Sequence, residues 1–523
     1  MKLEPAMSHT SRSLRRAMLR LAGATGLALA LPATLAASPA ASPATATEVA
    51  QDAAMAKIIA GQHDEMIARL RDWIALPTIA AEGLNIEEGA QMMEKVLRDA
   101  GFGQTRIVPT SGSPSVFGYL DAGAERTIAV YFMYDVKQYD AEKWTTPPLA
   151  GELVAREGLG EVMLARGAIN TKGPQMAFLA ALHAYRKANR LPPVNIALIA
   201  EGEEEVGSAH LAEALADPEV KRRLDQSIGM FYCSAAQSSD GFVSVDLGSK
   251  GMIEAELTAH GAKGIGPDHD IHSGYAAVAD SPVWHLVKAL SSMTNADGTQ
   301  VTIDGWNDNV RAPTAREEEL IDLRAAELDE GLMKEEFGIE RWIAGVDYRT
   351  ALDRMANAPT ANIEGISGGY TGEGGKTILP SSATAKMDFR LVPGQTAEDA
   401  KAKLRAHLDA HGFADIDVTF TGGLDPSQTA EDAALTQALI ANLKARGVPY
   451  SLDPRNPTSG PTYLFTDKLF SLPFVSVGLG LGGRFHVPDE FYLINSTNPN
   501  VAGFDEVSGF YIDLLEDVAT RPL

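Results

Sequence analysis

A chain of 523 residues exceeds what one apolar core organises, so two or more domains are expected. The formal charge of −24 argues against nucleic acid or an anionic membrane surface as partner, while 45% hydrophobic content is ordinary for a soluble globular protein. The one cysteine, Cys233, excludes an internal disulfide framework and a cysteine-based zinc knot.

Residues 1–46 read as an export signal and linker. Paired Arg15 and Arg16 precede an apolar run from Leu21 to Ala37, and small residues lead to a cleavage candidate at Ala44-Thr45-Ala46. The run is short for a stable membrane anchor. The stretch Leu14–Arg20 looks like a twin-arginine signal, which implies a folded, periplasmic product; a general secretory signal is the alternative. Next, "MAKIIAGQHDEMIARLRDWIAL" and "GAQMMEKVLRDAGF" have helical periodicity, the second closed by Gly101.

The runs "TIAVYFMYD", "VNIALIA" and "SIGMFYCS" have the continuous hydrophobicity of strands covered on both faces, and the helical "QMAFLAALHAYRKA" lies between the first two. This alternation predicts an α/β domain with a doubly wound, mainly parallel sheet, over 47–247. From 248 to 423, "GMIEAELTAH", "SPVWHLVKAL", "SATAKMDFRL", "TAEDAKAKLRAHLDA" and "DIDVTFTGG" give β-α-β-α-β. That order predicts an inserted, smaller α+β lid, with a charged helical stretch at 311–358. The first domain resumes over 424–523 with the helix "ALTQALIANLKARG" and the strand "FVSVGLGLGG".

Chemistry in such sheets collects beyond the carboxyl ends of the strands. "EGEEEVGS" (201–208) places Glu203, Glu204 and Glu205 there. Crowded carboxylates repel one another and lose hydration, so a cation or a shared proton should offset the cost. The other histidines offer little help: His183, His210, His407 and His411 fall in predicted helices and read as surface or core residues. His285 reads as packing and His269 as a loop residue. "GGYTGEGG" lacks the Lys-Ser/Thr ending of a phosphate loop and reads as a flexible lid segment.

Taken with "YDV…EKWTTPPL", "ARGAINTKGP", "DIHSG", "GWNDNVRAPT", "GGYTGEGGKTILP", "FRLVPGQ" and "HVPDE", the order of motifs resembles the dinuclear zinc peptidases that include aminoacylase, carboxypeptidase G and the carnosinase-type dipeptidases. The resemblance runs from about residue 50 to the C-terminus. It implies that Glu204 is the catalytic general base and acid, Glu205 a metal glutamate, and His486 a late metal histidine. Asp135 would orient an early histidine, and His272 would be delivered across a homodimer interface to stabilise the oxyanion. Arg390 and Thr377 match positions that hold a substrate carboxylate and the transition-state oxygen, and Ser459 in "TSGP" falls at a substrate-loop serine. Three ligand positions depart from the pattern: Met133 stands for the early histidine, Asn170 for the bridging aspartate and Ser234 for the second-site aspartate. A thioether and a hydroxyl are poor ligands for zinc in an oxygen/nitrogen site, and an amide lacks the bridging charge. The resemblance thus implies no metal, or one divalent ion (zinc if any) on Glu205, His486 and a weak Asn170.

The function expected is a periplasmic hydrolase of an amide or peptide bond in a small carboxylate-bearing substrate, such as a dipeptide or N-acyl amino acid. The alternatives are a catalytically silent peptide-binding relative, or an acid/base enzyme for elimination, cyclisation or acyl transfer.

Overall fold

The computed structural model describes residues 46–521. The export-signal reading falls outside them except for Ala46, where the first helix, Ala46–Ile74, begins. Among the described residues no helix is long and apolar enough to cross a membrane.

The main sheet has six strands in the order Gln104–Val108, Ser115–Leu120, Asn195–Glu201, Thr127–Met133, Ser227–Cys233 and Phe474–Val477. The last four run parallel, and Ser115–Leu120 pairs antiparallel on either side. Every residue of Thr127–Met133 and Asn195–Glu201 is buried, as expected of strands with helices on both faces. The two-residue period divides them between two cores. Ile128, Val130 and Phe132 pack with Phe178 and Tyr511, whereas Ala129 and Tyr131 pack with Leu211 and Phe465. The end of the first helix is fastened by Lys172, whose fully buried Nζ donates to the carbonyls of Trp73 (3.0 Å) and Leu76 (3.1 Å). Burial pushes that lysine down to about 7.

A second sheet, wholly antiparallel, orders Gly482–Gly483, Phe491–Ser496, Gly160–Leu164 and Glu152–Arg156. Its register sets Phe491 opposite Leu164. The segments just outside that pair, which carry Arg166 and Glu490, are thereby brought side by side.

The lid has its own four-stranded antiparallel sheet, in the order Thr360–Ser367, Ser382–Leu391, Gly251–His260 and Asp417–Leu424. The fully buried members of its core all lie between Ile253 and Ile416, and helices Pro282–Ser292 and Ala397–Ala410 supply Leu286, Leu404 and Leu408. Strand Thr360–Ser367 was not foreseen, because most of its side chains are exposed and no apolar alternation marks it. The charged stretch also differs from expectation. Leu320, on helix Ala315–Glu327, joins the main core instead of the lid's, and Arg324 pairs with Asp453 of the main domain.

The two passages of chain between the domains pair with each other. Gly248–Ser249 and Ser427–Gln428 form a short antiparallel ribbon, with Ser249 Oγ 2.9 Å from Ser427 Oγ and Thr462 Oγ1 donating to Ser427 Oγ at 2.7 Å.

Candidate active site

The parallel strands end side by side, so their following residues share one edge. Met133 is in register with Glu201, and Tyr232, on the next strand, reaches Met133 Sδ at 4.0 Å. Ser234 follows the end of that same strand, and its buried Oγ has no hydrogen-bond partner. The turn after Glu201 needs a glycine: a Cβ on Gly202 would stand 2.2 Å from the Tyr134 ring.

The three consecutive glutamates separate. Glu203 turns away and accepts from the backbone of Ser113 (3.1 Å), the backbone of His210 (2.6 Å) and the His210 ring (3.0 Å). Glu204 and Glu205 begin a single 3-10 turn, Glu204–Val206, whose first amides are held by buried Asp135. Asp135 Oδ1 accepts from Glu204 N at 3.2 Å and Oδ2 from Glu205 N at 3.0 Å. Asp135 thus fixes the backbone of the pair, whereas the resemblance made it the support of a histidine that is here Met133.

Glu205 is the centre of the cluster. Its Oε1 accepts from Asn170 Nδ2 at 2.6 Å, and its Oε2 faces Lys137 Nζ at 3.3 Å and His486 Nε2 at 3.4 Å. Lys137 also donates to the Glu205 carbonyl. Asn170 Nδ2 lies 3.1 Å from His486 Nε2, so the amide joins the two residues that the resemblance assigns to one ion. Both Glu205 oxygens therefore already face donors of the protein itself. Glu490 holds Asn170 in place. Fully buried beside Arg166 at 2.7 Å, it accepts from the backbone N–H groups of Gly167 (3.1 Å), Ile169 (3.0 Å) and Asn170 (3.0 Å).

Burial dominates the electrostatics. It lifts Asp135 to about 7, helped by the Glu205 charge, and Glu205 to about 7 against the pull of Lys137. Glu204 is raised well above the usual carboxylate range, first by burial and then by the charges of Glu205, Asp135 and Glu201. Partial desolvation and the charges of Lys137 and Arg166 push His486 down to about 4, so its ring is neutral near pH 7.

The predicted substrate residues form two further groups. His272 ends one strand of a two-stranded ribbon, Ile271–His272 with Ile378–Leu379, Thr377 directly precedes the other, and Thr377 Oγ1 lies 3.3 Å from His272 Nε2. Arg390 donates to Asp388 at 2.8 Å and to Ser459 Oγ at 3.1 Å, which joins two sequence-predicted residues. Sequence reasoning missed Lys137, Tyr232 and Glu490. Only Glu490 had a signal, as the acid ending "HVPDE".

The family model described as a peptidase dimerisation domain matches residues 247–415. The chain is 25% identical over 367 residues to the Cys-Gly metallodipeptidase dug1 of Schizosaccharomyces pombe, covering 67% of this chain and 74% of that protein. It is 26% identical over 382 residues to the Beta-Ala-His dipeptidase of Homo sapiens, covering 66% and 69%. The M20 family metallo-carboxypeptidase Sso-CP2 of Sulfolobus solfataricus superposes with a TM-score of 0.77 at 27% identity, over 87% of this chain and 100% of that one. By its dimerisation domain, its sequence and its fold, the chain is a relative of the M20 metallopeptidases, of the carnosinase type.

Proposed function

We propose that this chain is an exported hydrolase of a peptide or amide bond in a small carboxylate-bearing substrate of the dipeptide or N-acyl amino acid kind. The observation that carries the reading is the Glu204–Glu205 pair, pinned by its amides to Asp135 at the carboxyl edge of the parallel strands. The dipeptidase relatives support the bond class, and the signal-like pattern of Arg15 and Arg16 before the apolar run from Leu21 supports a periplasmic location.

Glu204 is the proton carrier. Ionised, it takes a proton from water as that water attacks the carbonyl; protonated, it delivers the proton to the leaving nitrogen. Lys137 supplies fixed positive charge at Glu205. His272 and Thr377, side by side at one end of the ribbon, are the groups for the developing oxyanion, and the peptidase dimerisation domain supports a homodimer in which a second copy brings His272 to the site. Arg390, steadied by Asp388 and Ser459, is the fork for the substrate carboxylate.

A two-ion centre does not fit this donor set. Met133, Asn170 and Ser234 offer a thioether, an amide and a hydroxyl, and Glu205 is already engaged by Asn170 and Lys137. We expect at most one ion per chain whose retention depends on Glu205 and His486. Elemental analysis of the protein against Glu205→Gln and His486→Ala checks this, and two such ions would overturn the carry-over. The saturated Glu205 also favours a second reading, in which the same scaffold runs a non-hydrolytic acid/base reaction. A substrate panel of dipeptides and N-acyl amino acids, assayed with and without chelator, separates the two by whether free amino acids appear.

Lys137 gives a sharper test. Its charge lowers both Glu204 and Glu205, so Lys137→Met should move the acid limb of the kcat/KM–pH profile to higher pH. An unmoved limb would remove Lys137 from the site's electrostatics.

A further inference from the structure

The lid carries a second cluster of donor groups, remote in sequence from the glutamates. His407 lies in the last turn of helix Ala397–Ala410 and His411 caps that helix, so their i, i+4 spacing sets both rings on one side, with centroids 4.2 Å apart. Asp304 comes from the loop beyond helix Pro282–Ser292. Its Oδ2 stands 2.8 Å from His411 Nε2 and 3.5 Å from His407 Nδ1. The three donor atoms lie within 4.8 Å of one another, and among the described residues this is the one set of His, Cys, Asp or Glu donors so gathered.

The protonation pattern suits a cation. Ser292 Oγ gives its proton to the Ala289 carbonyl at 2.7 Å, so at His407 it accepts, 3.0 Å from Nε2. The hydrogen of His407 is thereby fixed on Nε2 and the lone pair on Nδ1, which accepts from the Asp304 backbone N–H at 3.2 Å, so an ion bound at Nδ1 takes the place of that hydrogen bond. A ligating imidazole usually donates its other N–H to a carboxylate, a backbone carbonyl or water, and the Ser292 hydroxyl fills that place here. Two donors on a tetrahedral zinc with bonds near 2.1 Å stand about 3.4 Å apart; the 3.5 Å between His407 and Asp304 matches that figure, and the 2.8 Å hydrogen bond between His411 and Asp304 would open to admit the ion. His407 is buried while Asp304 and His411 are exposed, so an ion from solvent reaches a site whose inner ligand is rigid.

We propose that Asp304, His407 and His411 bind one divalent transition-metal ion of the zinc class, with open positions left to water. The ion joins the end of helix Ala397–Ala410 to the loop at Asp304 and, through Ser292, to helix Pro282–Ser292, and so braces the lid core.

The test uses the untagged full chain, stripped with chelator and titrated with Zn2+ by calorimetry, with Co2+ absorption as a second readout. One Zn2+ should bind to the parent, to Glu205→Gln and to His486→Ala alike, and raise the unfolding temperature. His411→Ala and Asp304→Asn, both at exposed positions, should keep the parent's circular dichroism and lose affinity at least tenfold, along with the Co2+ bands. A parent that binds no Zn2+ beyond what His486→Ala removes, or a His411→Ala that binds as the parent does, would overturn the site.

Discussion

Glu204→Gln is expected to remove turnover almost entirely, by about 10²- to 10⁴-fold in kcat, with the fold intact and KM little changed. The substitution keeps the shape of the side chain and the backbone bond from Glu204 N to Asp135, so the turn holds. It removes only the capacity to take and return a proton. Arg390, the proposed fork for the substrate carboxylate, is bonded to Ser459 in another part of the molecule and is untouched by the change, which is why KM is the control. The sign of the pH dependence follows from the same groups. Burial and neighbouring negative charge raise Glu204, and a base must be ionised to act, so the parent's rate climbs with pH on the acid side. The residual activity of the variant should lack that limb. Turnover within a few-fold of the parent's would strike Glu204 from the mechanism.

Glu317→Ala should cost about 3–5 kcal/mol of stability, measured as a lower urea midpoint. Glu317 closes a capping box with Thr314 at the start of helix Ala315–Glu327 and accepts from Arg311 at 2.7 and 2.9 Å. It also pairs with Arg455, which is only 2% exposed. Without the carboxylate a guanidinium is left buried and uncompensated, and that penalty dominates. A compensating change tests the cause: Arg455→Met in the Glu317→Ala background should recover much of the loss, because the orphaned charge goes with it. Burial works to raise Glu317, but Arg311, the Thr314 amide and Arg455 outweigh it and hold the carboxyl down to about 2. Its folded pKa lies below the ordinary 4.5, so its contribution is complete above about 4.5 and is lost as pH falls toward 2.

The central strands were legible because burial on both faces leaves an unbroken apolar run, as in "TIAVYFM" and "NIALIAE". The motif at Glu204 and Glu205 was legible because strand, glycine and acids stand together in the chain. Contacts made across the fold were not. Lys137 meets Glu205 from another strand end, and a lone lysine after "MYDV" has no spacing to announce it. Asn170 was read as a weakened ligand, and the fold uses it as the donor that joins Glu205 to His486. His407 and His411 had a readable i, i+4 spacing, but their meaning depends on Asp304, brought close only by the packing of the lid. The helix Ala315–Glu327 lies inside the lid in sequence, yet Leu320 buries itself in the other core; pattern shows which face is apolar, not which neighbour covers it.

The serine ribbon between the domains has a mechanical consequence. Because Gly248–Ser249 and Ser427–Gln428 are bonded to each other, the two cords that tether the upper body cannot lengthen or slide independently. A relative displacement of the two bodies that separates these strands has to break the Ser249–Ser427 pairing as well as the Arg324–Asp453 and Glu317–Arg455 pairs. The crossing point is thereby stitched at its side chains as well as its backbone, and replacing Ser427 with alanine would remove the side-chain stitches to Ser249 and Thr462 while leaving the backbone pairing.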